Sequence, residues 1–263
     1  MFGLIHYNAP GKTLEEFLKY AADTGFESTE LAYGDVFVEG KSWQAGAEEA
    51  RKLCEAAGIA VSALSAGNDF VVLAEDEIKA QVARMKTVCE AAEILGTDVI
   101  RTEGGQPKDS VPESRWAEAI AGCLTRCREF IEPMGIELAV DNHGWVTNNG
   151  YLEFEVFDRV GSPNVGANLD TMNYRWRGND LKVIDRFYEL IAPYTFHTHM
   201  KDGTGSLEKY VGAALGEGEI NLKYAVERLK TAGYHGAWTA EYEGREDSAI
   251  GYRKCLEWMR ANV

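Results

Sequence analysis

The chain alternates short runs rich in apolar and β-branched residues with longer segments in which apolar residues recur every three to four positions. Runs of the first kind are typical of buried parallel strands, and segments of the second kind are typical of amphipathic helices. The predicted strands lie near 2–6, 26–31, 59–64, 97–102, 136–141, 164–169, 194–200 and 236–242. The predicted helices lie near 13–24, 44–57, 76–95, 112–133, 151–160, 180–192, 221–231 and 247–261.

Glycines mark five junctions between a predicted helix and the strand that follows it. Gly25, Gly58, Gly96, Gly135 and Gly233 each separate a helical segment from an apolar run. Glycine adopts the left-handed conformation that commonly ends a helix at no steric cost. The recurrence therefore indicates serial βα units, and such units form a parallel sheet.

Eight βα units favour closure into a single (β/α)8 TIM barrel over an open doubly wound sheet. No proline- or serine-rich linker divides the chain, so one barrel domain spanning residues 1–263 is expected. The alternative, a dinucleotide-binding sheet, is weakened because no G-x-G-x-x-G motif follows the first predicted strand.

The charge balance limits the classes of partner. The chain carries 27 lysines and arginines against 42 aspartates and glutamates, a net charge of −15. Nucleic-acid binding and anionic membranes both require clustered cations, so neither partner is expected. An odd count of five cysteines, without paired short spacings, indicates reduced thiols. Together with the lack of a secretory leader pattern, this predicts a cytoplasmic protein.

The stretch TFHTHMKD, in the seventh predicted strand, contains two histidines two residues apart. Side chains alternate between the two faces of a strand, so His197 and His199 share one face. Phe196, Thr198 and Met200 are expected on the opposite face. The two imidazoles should therefore both point toward the barrel axis.

Four neighbouring predicted strands end in polar residues that share the axial face. Asp141 ends the fifth strand, Asp170 the sixth, His199 the seventh and Glu241 the eighth. TIM barrels carry their chemistry at this end of the strands. Three carboxylates and one imidazole suit Mn²⁺ or Mg²⁺, with Co²⁺ or Zn²⁺ able to substitute. The alternative is a set of helix caps and ion pairs, because an aspartate at a strand end often caps the next helix.

Three further side chains are expected to face the axis at the barrel mouth, because each lies two residues from a predicted ligand. His143, His197 and Lys201 are candidates for steering the outcome of a reaction. In the alternative interpretation, His143 only supports the site and Lys201 forms a surface ion pair with Asp202.

Other strand-end and loop residues could contact a substrate. Glu30 and Glu103 are strand-end carboxylates that could bind hydroxyl groups. Trp145, Tyr174 and Trp176 follow the fifth and sixth strands, and loop aromatics beside a polar pocket could stack on a sugar ring.

The ordered motifs LAVDNHG, VGANLDTMNY, FHTHMKD, GEGEINL and AWTAEYEG resemble the xylose isomerase-like TIM barrels. That superfamily includes sugar phosphate isomerases and epimerases, ketose 3-epimerases and inosose dehydratases. The resemblance implies one divalent ion, manganese first, held by Asp141, Asp170, His199 and Glu241. His199 is preferred to His197 because it directly precedes the family's x-Lys-Asp. In the related epimerases the carboxylates that end strands five and eight also form the acid–base pair.

One position departs from the family pattern. Strand five commonly ends in Glu-Asn-His-Gly, whereas this chain has Asp141 followed by Asn142, His143 and Gly144. The shorter side chain withdraws the carboxylate by one C–C bond, about 1.5 Å. Asp141 could still bind a metal while losing reach as a proton carrier. The several histidine ligands of the related three-metal nucleases are not present, which argues against DNA repair.

These features predict a divalent-metal-dependent isomerase or epimerase that acts on a sugar or keto-sugar through an enediolate. The alternative is a metal-dependent lyase acting by dehydration or β-elimination on a keto-sugar, keto-inositol or keto-glycoside. A third class is a non-catalytic barrel that binds a partner. The expected ligand is a small carbohydrate, and a homo-oligomer or a partner subunit is left open. His197 is predicted to support the metal site from one layer deeper without touching the ion.

Overall fold

The computed structural model describes all 263 residues and contains a closed barrel of eight parallel strands. The barrel strands are β1 (Phe2–Ile5), β2 (Ser28–Leu31), β3 (Ala60–Ser65), β4 (Val99–Glu103), β5 (Glu137–Asp141), β6 (Val165–Asp170), β7 (Thr195–Met200) and β10 (Trp238–Ala240). They are ordered β1-β10-β7-β6-β5-β4-β3-β2 around the barrel. The predicted (β/α)8 TIM barrel is therefore confirmed.

Helices connect the strands and cover the outside of the barrel. They are α1 (Leu14–Thr24), α2 (Tyr33–Val36), α3 (Trp43–Ala57), α4 (Glu75–Leu95), α5 (Trp116–Met134), α6 (Gly150–Val160), α7 (Asn173–Trp176), α8 (Leu181–Ile191), α9 (Leu222–Thr231) and α10 (Ser248–Asn262). Gly25, Gly58, Gly96 and Gly135 end helices in the left-handed conformation, as predicted. None of the helices combines the length and apolar character that crossing a bilayer requires.

A small antiparallel hairpin follows β7 and was not predicted. It pairs β8 (Asp202–Thr204) with β9 (Val211–Ala213). The buried Asp202 carboxylate accepts hydrogen bonds from the backbone N–H groups of residues 203, 216, 218 and 220. This aspartate therefore holds the loop after the hairpin against the barrel mouth.

The floor of the barrel is apolar. Ala63, Val99 and Ala139 form a small buried cluster inside the barrel, and the ring of Phe196 packs against it. A Cβ atom at Gly166 would come within 2.7 Å of that ring, so glycine leaves the space that Phe196 occupies. The floor separates the polar mouth from the opposite end of the barrel.

The position of Phe196 corrects a prediction. Strict alternation placed this residue on the face toward the helices, but the pairing of β6 with β7 contains an irregularity. Ala167 pairs with Thr195 and Asn168 pairs with His197, so Phe196 is the extra residue. A bulge of this kind changes the direction of side chains locally.

All five cysteines are free and buried in helices. Burial raises the pKa of Cys54 and of Cys89 to about 12. These thiols are therefore poor nucleophiles and pack as small apolar groups.

Candidate active site

A polar cavity of about 300 Å³ opens at the C-terminal ends of the barrel strands. Among its lining residues are five carboxylates, namely Glu30, Glu103, Asp141, Glu241 and Glu243. One arginine, Arg101, and three histidines, His6, His143 and His199, also line it. Five carboxylates against one guanidinium make the cavity a favourable place for an additional cation.

Three of the four predicted metal ligands converge beside this cavity. Asp170, His199 and Glu241 each present one ligand atom, and these atoms lie within 4.8 Å of one another. Asp170 Oδ2 and His199 Nδ1 are buried and have no hydrogen-bond partner. His199 Nδ1 also lies 3.1 Å from Glu241 Oε2. Because buried polar atoms without partners are costly, the set has the arrangement expected of a cation site.

The orientation of His199 is fixed from the far side of its ring. Its Nε2 lies 2.7 Å from Glu30 Oε2, so Nε2–H donates to this carboxylate when the ring is neutral. Nδ1 then keeps its lone pair, directed toward Asp170 and Glu241. A carboxylate that orients a histidine in this way is common behind metal ligands. Glu30 thus orients a histidine, and because it also lines the cavity, its suggested role in binding substrate hydroxyls stays a prediction.

The two oxygens of Asp170 have different surroundings. Oδ1 accepts hydrogen bonds from the backbone N–H groups of residues 172 and 173, at 2.7 and 2.8 Å. This oxygen holds the turn that leads into α7, which is close to the capping role considered as an alternative, but Oδ2 takes no part in it. Burial raises the pKa of Asp170 to about 8, with Lys201 opposing this shift and Glu241 reinforcing it. A cation at Oδ2 would stabilise the ionised form.

Asp141 lies outside this group of three. Its Oδ1 accepts a hydrogen bond from Asn168 Nδ2 at 2.8 Å, and its Oδ2 lies 3.2 Å from a terminal nitrogen of Arg101. The register of the sheet explains the separation, because Asp141 pairs with Asn168 and so lies one pleat below Asp170. With the shorter aspartate side chain, the carboxylate meets Arg101 instead.

Arg101 is one of the residues at this site that the sequence interpretation missed. Its Nε lies 2.7 Å from Glu30 Oε1, and another of its nitrogens lies 2.8 Å from Ser65 Oγ. Burial would raise the pKa of Glu30, but Arg101 and His199 outweigh this and hold it far below its ordinary value. The sequence could have indicated this residue. Arg101 stands two residues before Glu103 in the same strand, so both side chains point toward the barrel axis.

A second group of possible ligand atoms comprises Glu30, His197 and His199. The Glu30 carboxylate in this group is already bound to Arg101 and to His199 Nε2. Both nitrogens of His197 are also hydrogen-bonded. The set formed by Asp170, His199 and Glu241 fits a metal better, because two of its ligand atoms, Asp170 Oδ2 and His199 Nδ1, have no hydrogen-bond partner.

His197 faces the axis beneath His199 and does not line the cavity. Its Nδ1 lies 2.9 Å from Asn168 Oδ1, and its Nε2 lies 3.1 Å from Thr239 Oγ1. Burial lowers the pKa of His197 to about 4, so the ring is neutral near pH 7. Nδ1–H therefore donates to Asn168, whose amide in turn donates to Asp141. The His197 ring therefore helps to hold Asp141 in position through this chain of hydrogen bonds.

Lys201 is buried rather than on the surface. Its Nζ lies 2.9 Å from Glu241 Oε1 and 3.0 Å from Glu243 Oε2. The alternative of a surface ion pair with Asp202 is wrong, because Asp202 is used by backbone N–H groups. Burial would lower the pKa of Lys201, but the adjacent carboxylates outweigh it and raise this pKa well above its ordinary value. The ammonium group is therefore charged.

Residues of the rim differ in their access to the cavity. The side chain of His143 is half exposed, with Nδ1 3.8 Å from Asp141 Oδ2. Trp145 is exposed and packs edge-on against Trp176, with ring centroids 6.2 Å apart. Tyr174 is fully buried, with its hydroxyl hydrogen-bonded to a glutamate, so it is not available to stack on a sugar.

The comparison with known families agrees with this geometry. A family model described as "Xylose isomerase-like TIM barrel" matches residues 18–262. Among curated proteins, an inosose isomerase from Halalkalibacterium halodurans is 24% identical over 167 residues, covering 61% of this chain and 58% of the relative. The chain thus spans a little over half the length of that relative.

Solved structures show the same fold. A structure described as IolI protein with a bound zinc atom superimposes with a TM-score of 0.78 at 16% identity, covering 99% of this chain and 95% of the other. A 3-keto-D-glucoside 4-epimerase from E. coli gives a TM-score of 0.77 at 16% identity, covering 99% and 98%.

Proposed function

The chain belongs to the xylose isomerase-like TIM barrel family, and on this premise we propose that it is a divalent-metal-dependent isomerase or epimerase of a sugar or keto-sugar. The observation that carries the proposal is the pair of unpartnered buried atoms, Asp170 Oδ2 and His199 Nδ1, directed toward Glu241. The inosose isomerase and the 3-keto-D-glucoside 4-epimerase support the substrate class.

Asp170, His199 and Glu241 would hold the ion, and their two carboxylates and one imidazole suit manganese, with magnesium, cobalt or zinc able to substitute. When bound, the ion supplies positive charge that polarises the carbonyl group and an adjacent hydroxyl of the sugar. The zinc in the similar IolI structure supports a divalent ion in this fold. Asp141 remains the proposed fourth ligand, and joining the set would require it to release Arg101.

The chain's own groups would stabilise the enediolate of the substrate. The Lys201 ammonium is paired with Glu241 and Glu243, which line the cavity, so it would place a fixed positive charge next to the site where negative charge develops on the substrate oxygens. His197 would keep Asp141 in place through Asn168. Proton transfer would fall to a group that lines the cavity, and the predicted candidates are Glu241, Asp141 and His143.

A lyase is the second candidate, and the surroundings of Asp141 favour it. This carboxylate is held by Arg101 and Asn168, so a mechanism with two mobile carboxylates, one on each face of the sugar, is weakened. Dehydration or β-elimination needs one base and a stabilised leaving group instead. The charged Lys201 ammonium would stabilise negative charge on the departing oxygen.

The experiment is a metal analysis followed by an exchange screen. Purified protein with Mn²⁺ is incubated in D₂O with a panel of ketoses and 3-keto-glycosides, and deuterium uptake is followed by NMR. We expect exchange at a carbon next to a carbonyl, abolished by EDTA and restored by Mn²⁺. Release of water or an aglycone would select the lyase, and failure of every panel member to exchange or react would contradict both candidates.

A further inference from the structure

His6 lies at the mouth of the same cavity and has no role in the proposal above. It directly follows β1, and its backbone N–H donates to the carbonyl of Glu30 at 3.1 Å. Its side chain lines the cavity together with Glu241 and His143. It is mostly buried, with about a fifth of the side chain exposed.

The ring of His6 is held in one orientation by two neighbours. Nδ1 lies 2.9 and 2.8 Å from the two carboxylate oxygens of Asp35. One face of the ring stacks on Phe17, with centroids 4.1 Å apart and an interplanar angle of 17°. In the neutral ring, Nδ1–H donates to Asp35, so Nε2 keeps the lone pair and has no partner in the protein.

We propose that His6 and Asp35 are a proton-transfer dyad of this site, in which His6 Nε2 removes the substrate proton. The inference deepens the proposed function and rests on it. Asp35 acts through His6 as a positioning residue. Dyads in which a buried carboxylate orients an imidazole base recur in enzymes of unrelated folds.

The other groups of the cavity are less suited to accept a proton. Glu241 is a proposed metal ligand, and its two oxygens lie 2.9 Å from Lys201 Nζ and 3.1 Å from His199 Nδ1. Asp141 is paired with Arg101. His143 lines the cavity but is half exposed, and its ring makes no hydrogen bond, since Nδ1 lies 3.8 Å from Asp141 Oδ2. Among the cavity groups that are not assigned to the metal, His6 alone combines a free nitrogen with an orienting carboxylate.

The step balances without a further reactant. The C–H bond next to the carbonyl breaks, its proton forms a bond to His6 Nε2, and its electron pair moves toward the carbonyl oxygen. The imidazolium is stabilised by the Asp35 carboxylate. The proton then leaves Nε2 for a carbon of the enediolate, or for the departing oxygen in a lyase. His6 is neutral again at the end of either route.

A purely structural role is the competing explanation. Asp35 Oδ2 also accepts the backbone N–H of Ala32 at 2.8 Å, so this carboxylate caps the short helix α2. The contact with His6 would then only tie β1 to α2. This role and a catalytic one predict different responses to added imidazole.

The first test uses the ketose or 3-keto-glycoside that the wild type exchanges fastest in D₂O. His6→Ala should slow exchange by about 10²–10⁴-fold, with bound Mn²⁺ and substrate KM unchanged. Added imidazole should restore part of the rate to His6→Ala. His6→Gln, which keeps more of the ring's volume, should be equally slow if packing is intact. His235→Ala is the matched control, because His235 is exposed near the opposite end of the barrel.

The second test reports the dyad without turnover. In ¹⁵N NMR of the Mg²⁺-loaded protein, neutral His6 should carry its proton on Nδ1, and Asp35→Asn should shift the ring toward the other tautomer. Asp35→Asn should lower kcat with KM unchanged. If His6 had only a structural role, the change of its tautomer in Asp35→Asn would not change kcat.

The outcomes separate this inference from the proposed function. Wild-type exchange that survives in His6→Ala, or is lost in His143→Ala alone, would overturn the dyad and leave the metal-dependent function intact. Loss in His6→Ala without rescue, accompanied by loss of Mn²⁺ or of thermal stability, would assign His6 a structural role. No exchange by the wild type would overturn the proposed function itself.

Discussion

Two halves of the barrel mouth use similar residues and reach different electrostatic states. We define the arginine half as Glu30 and Asp141 with Arg101 between them, and the open half as Asp170, His199 and Glu241. In the arginine half, ion pairs of 2.7 and 3.2 Å satisfy both carboxylates. In the open half, Asp170 Oδ2 and His199 Nδ1 have no hydrogen-bond partner.

The difference shows what each half requires. Both carboxylates of the arginine half accept hydrogen bonds from the Arg101 guanidinium, so that half needs no ligand to satisfy them. The open half has Lys201 at its edge, 2.9 Å from Glu241 but 3.9 Å from Asp170. A cation from outside the chain would satisfy the buried atoms of the open half that lack hydrogen bonds. Glu30 connects the two halves, because it contacts both Arg101 and His199.

The largest expected effect comes from the open half. His199→Ala removes the only nitrogen ligand, so Mn²⁺ binding and turnover should both be abolished. The measurement is metal content after dialysis, together with D₂O exchange. His235→Ala, which changes an exposed histidine, should keep both. Metal retained at wild-type affinity in His199→Ala would remove His199 from the ligand set.

Breaking the arginine half should affect stability more than metal binding. Arg101→Met leaves Glu30 and Asp141 buried without their cation, which should lower the free energy of unfolding by about 3–5 kcal/mol. Chemical denaturation measures the loss. The matched control is Arg159→Met, because Arg159 pairs with Glu155 on an exposed helix face and should contribute about 0.5 kcal/mol or less. Equal effects of the two substitutions would show that the buried ion pairs stabilise the fold no more than a surface pair does.

A smaller effect is expected below the two halves. His197→Ala removes the ring that holds Asn168 and, through it, Asp141. Metal should remain bound, with affinity or activity lower by about 10–100-fold. Calorimetric titration of Mn²⁺ and exchange rates measure the two quantities. Complete loss of metal, as in His199→Ala, would mean that the roles of the two histidines are wrongly assigned.

The stability of the metal-free protein should depend on pH because of two groups in the open half, His199 and Asp170. Burial lowers the pKa of His199, but Glu30 and Glu241 outweigh it and raise this pKa well above 6.5, while burial raises the pKa of Asp170 to about 8. Both groups bind protons more tightly in the folded state, so their stabilisation is present at low pH and is lost as pH rises through these pKa values. One such group changes stability by about 1.4 kcal/mol per pH unit.

The metal-free protein should therefore melt at a lower temperature at pH 9 than at pH 6. The increase in Tm caused by saturating Mg²⁺ should grow over the same range, because the metal replaces the protons. Differential scanning calorimetry at matched ionic strength tests this. A metal-induced increase that shrinks as pH rises would contradict the assignment of these two groups to the ion.

Much of the fold was predictable because βα units repeat. The periodic apolar segments and the glycines that end helices, such as Gly58 and Gly96, are local signals that tertiary packing did not override. Phe196 was misplaced, because a bulge depends on the pairing partner, β6, and leaves no mark in the sequence of β7.

The candidate site was predictable only in part. The alternation of side chains along each strand correctly predicted that Asp170, His199 and Glu241 face the barrel axis and lie close together. It could not show that Arg101 would meet Asp141, because that contact depends on the register between β4 and β5 and on a long side chain. His6 lies just after β1, and its partner Asp35 lies in the short helix α2, so no spacing in the sequence connects the two.

The most direct test of the central claim is an anomalous diffraction map of crystals loaded with Mn²⁺. The open half predicts one peak about 2.0–2.3 Å from Asp170 Oδ2, His199 Nδ1 and a carboxylate oxygen of Glu241. The same map shows whether Asp141 leaves Arg101 to become the fourth ligand. A crystal at saturating Mn²⁺ with no peak between these three side chains, or with peaks only at surface carboxylates, would contradict the claim.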